Sequence, residues 1–181
     1  IGRRGHEQPR VNSAAMGHFS SYEALALRWG ELCNDPLLQD LPGKIELNGY
    51  GVIEMSPASN RHALVQGAIA AALARQWPDG DVLVECCIAT ADGVRVPNVA
   101  WASADFRQRQ ATRTPFTPSP EICVEVRPPS NSDDEMALKT RLYLEAGAIE
   151  VWIVSEAGAI VVFDTAGERA SSRWPITVAL R

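Results

Sequence analysis

The run Ile122-Cys123-Val124-Glu125-Val126-Arg127 carries one acidic side chain in an otherwise apolar strand pattern. Strand side chains alternate between faces, so Ile122, Val124 and Val126 share one face and Cys123, Glu125 and Arg127 the other. A carboxylate is expensive to bury unless it is paired or bound to a metal ion. Glu125 is therefore either half of an internal pair, with Arg127 or a lysine, or part of a reactive site. The helical pattern that follows, from Asp133 to about Ala146, poses a related question. On a helix Met136, Leu138, Leu142, Tyr143 and Ala146 fill one arc, and Lys139 lies inside it. Its ammonium either snorkels past the helix edge to water or points at Glu125 and the sheet. The third residue is Asn98, in Arg95-Val96-Pro97-Asn98-Val99-Ala100-Trp101, where it shares a strand face with Val96 and Ala100. Asparagine is disfavoured inside strands. A hydrogen-bonded core amide near a bulge is the simplest reading of Asn98 alone.

Other residues are weaker candidates. Glu46 lies in a hairpin pattern, either as an additional acidic ligand or in a surface pair with Lys44 on the same strand face. His62 shares a helix face with Val65, Gln66, Ile69 and Leu73, the setting of a satisfied core histidine. Arg107, Arg109 and Arg113 occupy a polar stretch, as solvated charges or as contacts to a phosphate backbone. Cys33, Cys86, Cys87 and Cys123 make no C-x-x-C pair, so zinc is not expected. Each sits among apolar residues and reads as a small buried hydrophobe. Redox activity of the vicinal Cys86–Cys87 pair is the alternative. Reduced thiols fit a cytoplasmic setting.

These residues need elements to position them. Ser20 to Glu23 has capping-box spacing and opens a helix to about Cys33. Lys44 to Met55 reads as two strands around Asn48-Gly49. Asn60 caps an Ala-rich helix from Arg61 to about Gln76. Val82 to Ile88 is a strand, Asp92-Gly93 a turn, Val94 to Ala102 another strand, and Asp105 to Pro120 a polar loop. Ile122 to Arg127 is a short, central strand. Ser132 and Glu135 cap the helix that carries Lys139, and Gly147 stops it. Glu150 to Val154 and Ile160 to Asp164 form a final hairpin. This order gives an α/β (α+β) domain with a central mixed sheet flanked by helices. Residues 1–15 read as a flexible N-terminal tail and 16–181 as one domain.

Composition narrows the function classes. No apolar run approaches the roughly 18 residues that a membrane helix needs. The formal charge is -5, and a protein that lives by phosphate contacts usually carries a basic face. Tight duplex binding through the whole surface is therefore disfavoured, while a local basic groove stays open. Five tryptophans, with Phe116 and Phe163, suggest more large apolar surface than one small domain hides, and so a twofold homodimer.

The segments ELNGYGVIEMSPASNRHALVQ, RVPNVAW, PEICVEVRPPSN and KTRLYLEAGAIEVWIV resemble the Uma-two family of the PD-(D/E)XK restriction-endonuclease-like superfamily. The likeness runs from about Ser20 to Asp164, with its motifs in order. It implies a restriction-endonuclease-like fold and an endonuclease that hydrolyses DNA phosphodiesters with Mg²⁺ or Mn²⁺. It places a metal-binding glutamate at Glu125. It places a lysine at Lys139, standing in for the lysine found elsewhere in the superfamily at the position of Arg127. The family's metal-binding aspartate falls at Asn98, so one carboxylate is missing. Mg²⁺ is hard and prefers anionic oxygen, and an amide ligand brings no charge. The resemblance thus leaves a weakened endonuclease, with Glu125, Asn98 and Glu46 as the metal set and Lys139 as the helper. Its alternatives are an inactive nuclease-fold binding module and a structural homodimer.

Overall fold

The computed structural model describes residues 18–39, 43–56, 58–110, 112–128 and 131–179. The expected tail at 1–15 and the domain start at Met16 lie outside them. Helix α1 (Tyr22–Cys33) is capped by Ser21, whose side chain accepts from Ala24 N, one residue later than the Ser20 spacing suggested. A turn of helix, α2 (Pro36–Gln39), leads to strands β1 (Lys44–Leu47) and β2 (Ile53–Ser56). Their connection is longer than the expected two-residue Asn48-Gly49 turn, because Leu47 pairs with Ile53. The Asn48 side chain closes the loop by accepting from Tyr50 N and Val52 N. Helix α3 (Asn60–Gln76) is capped by Ser59, not Asn60.

Two strands expected as continuous are each broken, and the breaks build the site. The Val82–Ile88 run divides into β3 (Gly80–Val84) and β4 (Ile88–Thr90), separated at Glu85, which has φ 54°. The Val94–Ala102 run divides into β5 (Gly93–Arg95) and β6 (Val99–Ser103). Pro97 has no N–H for a ladder, so the second break falls at Val96-Pro97-Asn98. Gly93 has φ 88°, and a Cβ there would meet the Leu47 carbonyl oxygen at 1.9 Å. Only glycine lets β5 approach β1 this closely.

The expected polar loop after Ser103 begins with helix α4 (Ala104–Gln110), capped by Ser103 Oγ and anchored by the buried Phe106. Strand β7 (Ile122–Arg127), helix α5 (Asp133–Glu145), and strands β8 (Glu150–Ser155) and β9 (Ile160–Asp164) form as expected. A short β10 (Gly167–Arg169) extends the final hairpin.

Among the described residues the strands form two sheets rather than one. The smaller has the order β2-β1-β5-β4, the larger β10-β9-β8-β7-β6-β3. The larger sheet is mixed: β7 and β8 run parallel and its other pairs are antiparallel. Strand β7 is interior. Its Ile122, Val124 and Val126 meet Val65, Ile69 and Leu73 of α3 in the main core. Its Cys123 packs with Tyr143 of α5 on the opposite face. Helix α1 covers the small sheet through Leu25, Trp29 and Leu32.

Trp29, Trp101 and Trp152 are buried, and Trp77 and Trp174 pack against the main core. The aromatic count therefore does not stand for surplus surface, and the dimer expectation loses that premise. Cys33 is exposed, against the expectation of a buried thiol, while Cys123 is buried and Cys86 and Cys87 are half-buried. None of the described helices is long and apolar enough to cross a membrane.

Past β10 the chain runs back over the large sheet. Trp174, Ile176 and Val178 turn toward the main core. The buried Glu150 anchors this strap by accepting from Ser172 Oγ, Arg173 N at 2.7 Å and Trp152 Nε1 at 2.8 Å. Gln76 pairs both ways with the Thr177 backbone, at 2.9 and 3.0 Å. Replacing Glu150 by alanine strands these donors and should lower stability by about 2 kcal/mol. Hydrogen exchange at 171–178 should accelerate while β7 stays protected. Unchanged exchange in the strap would show that Glu150 does not hold it.

Candidate functional site

Asn98 sits where the chain crosses from the small sheet to the large one. The β6–β7 ladder ends at Val99–Val124. Beyond it the Asn98 side chain takes over as acceptor, with Oδ1 receiving Val126 N–H at 2.8 Å. That contact fixes the amide's orientation, so Nδ2 must face His62 Nε2, 2.9 Å away. Because Nδ2 can only donate, Nε2 must be the bare nitrogen of a neutral imidazole. Asn98 is thus the hydrogen-bonded core amide of the simplest reading, and His62 is its satisfied partner. Burial lowers the His62 pKa first and Lys44 lowers it further, against Glu125, Glu156 and Glu85.

Glu125, Lys139 and Glu46 meet behind this pair. Lys139 is 6% exposed, so it does not snorkel. Its Nζ donates to Glu46 Oε1 at 3.0 Å and to Glu125 Oε1 at 3.4 Å. Tyr143 donates its hydroxyl to the same Glu125 oxygen at 2.8 Å. The other oxygen, Oε2, lies 3.5 Å from Lys44 Nζ. Arg127 is not Glu125's partner, for it turns to Asp133 and the Asn131 carbonyl. Leu138, expected inside the apolar arc, is exposed, and Thr140 is buried in its place. The buried stripe is rotated to centre on Lys139.

The expected surface pair of Glu46 and Lys44 is buried instead, with Lys44 Nζ 3.8 Å from Glu46 Oε1. Glu46 also accepts Val96 N–H at 2.9 Å and lies 3.6 Å from Arg95. Arg95 in turn pairs with Glu54 and Asp92. Burial pushes the Glu125 carboxyl up, but Lys44, Lys139 and the Tyr143 hydroxyl overcome this and hold its pKa below the ordinary range. Burial also opposes the Lys139 charge, yet Glu125 and Glu46 hold its pKa above normal. Burial first, then Glu125, raises Tyr143 well above its usual value, so it remains a donor.

A pocket of about 590 Å³ opens onto Lys44, His62, Asn98, Glu125 and Lys139, with Glu85 and Glu135 among its other walls. Three elements thus bring Glu125, Asn98 and Lys139 to one cavity. Glu46 does not line it and lies behind Lys139. Arg107 and Arg109 pair with Asp81 and Asp105, and Arg113 lies over the Tyr22 ring, so none joins the pocket.

The donor set does not fit a divalent cation. Both Glu125 oxygens face cations, the Asn98 amide is engaged at both ends, and Glu46 is enclosed. Among the described residues no group of three His, Cys, Asp or Glu side chains could hold a metal ion. The two inner carboxylates already face two ammonium groups, and Glu46 faces the Arg95 guanidinium as well. Each unit-charge repulsion at about 4 Å costs roughly 4 kcal/mol at an effective dielectric near 20.

Residues 35–174 match a family model described as "Uma2: Putative restriction endonuclease". The chain belongs to the Uma2 family. A crystal structure of "a putative nuclease belonging to DUF820" from Anabaena variabilis has the same fold as this Uma2 chain, with a TM-score of 0.55 and 16% identity. The match covers 70% of this chain and 81% of that one. The restriction-endonuclease-like α/β fold expected from the sequence is therefore the one observed. No curated protein matches the chain in sequence.

Sequence reasoning missed Lys44 and Tyr143 as site residues of this Uma2 protein. Tyr143 was legible as a core residue, but its hydroxyl needed a partner that only the fold reveals. Lys44 shares a strand face with Glu46, yet strand alternation cannot say that this face turns to another sheet rather than to water.

Removing Lys139 as Lys139→Met leaves two carboxylates short of a cation, and should lower stability by about 3–5 kcal/mol in urea denaturation near neutral pH. A loss below about 1 kcal/mol, the range of surface pairs, would show that the cluster is not buried in solution. The depressed His62 pKa sets a second expectation. The unfolded chain binds that proton near pH 6.5, the folded chain only at lower pH. The stability from a neutral His62 is complete above about 6.5 and is lost as pH falls through the folded value. The Tm should drop between about pH 7 and 5.5, and His62→Gln should flatten that drop. Equal slopes in both proteins would refute the neutral assignment.

Proposed function

We propose that this chain is a nuclease-fold binding module that does not hydrolyse DNA. The family description points to a nuclease, and the expected chemistry was metal-dependent phosphodiester hydrolysis with Mg²⁺ or Mn²⁺. The observation that carries the disabled reading is Asn98. It supplies no charge where the resemblance implies a metal-binding aspartate, and it closes on Val126 and His62. Lys139, the residue expected to assist hydrolysis, places its ammonium on Glu46 and Glu125 and is committed to balancing them.

The test uses the parent protein, supercoiled plasmid and a labelled duplex. With Mg²⁺ or Mn²⁺ the plasmid should stay un-nicked. The duplex should bind with a Kd of roughly 1–100 µM at physiological salt, as expected for contacts that read no sequence. Adding chelator should not change that Kd. Metal-dependent nicking would restore the endonuclease reading. Absence of binding at low salt would favour the structural homodimer, which light scattering would then have to detect as twice the monomer mass.

A further inference from the structure

The Lys44 ammonium stands where the pocket's charge calls for a cation. Tyr143 and Lys139 occupy Glu125 Oε1. Lys44 Nζ faces Oε2 from 3.5 Å and is fixed from behind by the Val96 carbonyl at 2.6 Å. Its side chain is 9% exposed, so its charge is partly stripped of water and has to be matched by protein. Val96 belongs to the same crossing segment as Asn98, so one stretch of backbone fixes both residues.

We propose that Lys44 is a resident cation, that it neutralises Glu125 in place of a divalent ion, and that Lys44 and Asn98 act as a unit. The geometry at Glu125 supports the pairing. Among the described residues, the cations within 4 Å of Glu125 are Lys44 and Lys139. A dication on Oε2 would meet the Lys44 ammonium, which stands 3.5 Å from that oxygen. Restoring a carboxylate at 98 alone leaves that ammonium in place. Removing Lys44 alone frees Oε2 but gives a metal no second carboxylate from position 98.

This inference rests on the reading of Asn98 as disabling, and its test contains no nucleic acid. Lack of DNA binding would overturn the previous reading and leave this one standing. Mn²⁺ binding is measured by electron paramagnetic resonance and by thermal midpoint in the parent, Asn98→Asp, Lys44→Gln and the double variant. Glutamine can still donate to the Val96 carbonyl, which keeps the backbone contact. The double variant should bind Mn²⁺ saturably and gain in Tm. Asn98→Asp alone should bind at least about tenfold more weakly, a difference of roughly 1.4 kcal/mol, and the parent should not bind. Lys44→Gln alone should melt below the parent, with no recovery on adding metal. Equal Mn²⁺ affinity in Asn98→Asp and the double variant would overturn the proposal. So would a folded double variant that binds no metal.

Discussion

Two carboxylates, Glu46 and Glu125, are buried inside this protein at 5% and 3% exposure. The fold tolerates them because the ammonium groups of Lys44 and Lys139 lie within 4 Å of both. Such clusters are costly to desolvate and repay that cost only when nearly every lone pair and proton is engaged. Here the Tyr143 hydroxyl, the Val96 N–H and the Val96 carbonyl supply the remaining contacts. Both carboxylates are thereby matched by charges that the chain itself supplies.

The same cluster joins parts that the apolar cores leave apart. Lys44 and Glu46 come from the small sheet, Glu125 from the large sheet and Lys139 from the covering helix. The three cores are distinct, with α3 on one face of the large sheet, α5 on the other and α1 on the small sheet. The crossing at Val96-Pro97-Asn98 links them covalently, and the ion cluster links them electrostatically at the same place. Pro97 forbids a continued ladder, so the Asn98 side chain provides the acceptor that the backbone no longer offers.

Much of this could be read from periodicity. Glu125 stood out because strand alternation put it opposite three apolar residues, and Lys139 because helical spacing put it among core side chains. Both readings depend on local order within a single element. The two broken strands were less legible, since strand-forming residues continue on both sides of Glu85 and of Pro97. Lys44 was illegible for another reason: the direction its face points depends on how one sheet sits on another. Asn98 could be seen as anomalous, and a likeness to known motifs could say what usually stands there. Its hydrogen-bond partners, which decide what it does, come from residues 28 and 36 positions away in sequence.

The strap that returns over the large sheet bears on how this domain may be delimited. The family match ends at Trp174, but Ile176 and Val178 pack on the main core, and Thr177 completes a two-way pairing with Gln76. A polypeptide trimmed to the matched region would leave the end of α3 and the Trp77 indole without their cover. Hydrophobic surface uncovered beside a sheet invites self-association. The boundary drawn by sequence kinship is thus shorter than the boundary drawn by solubility.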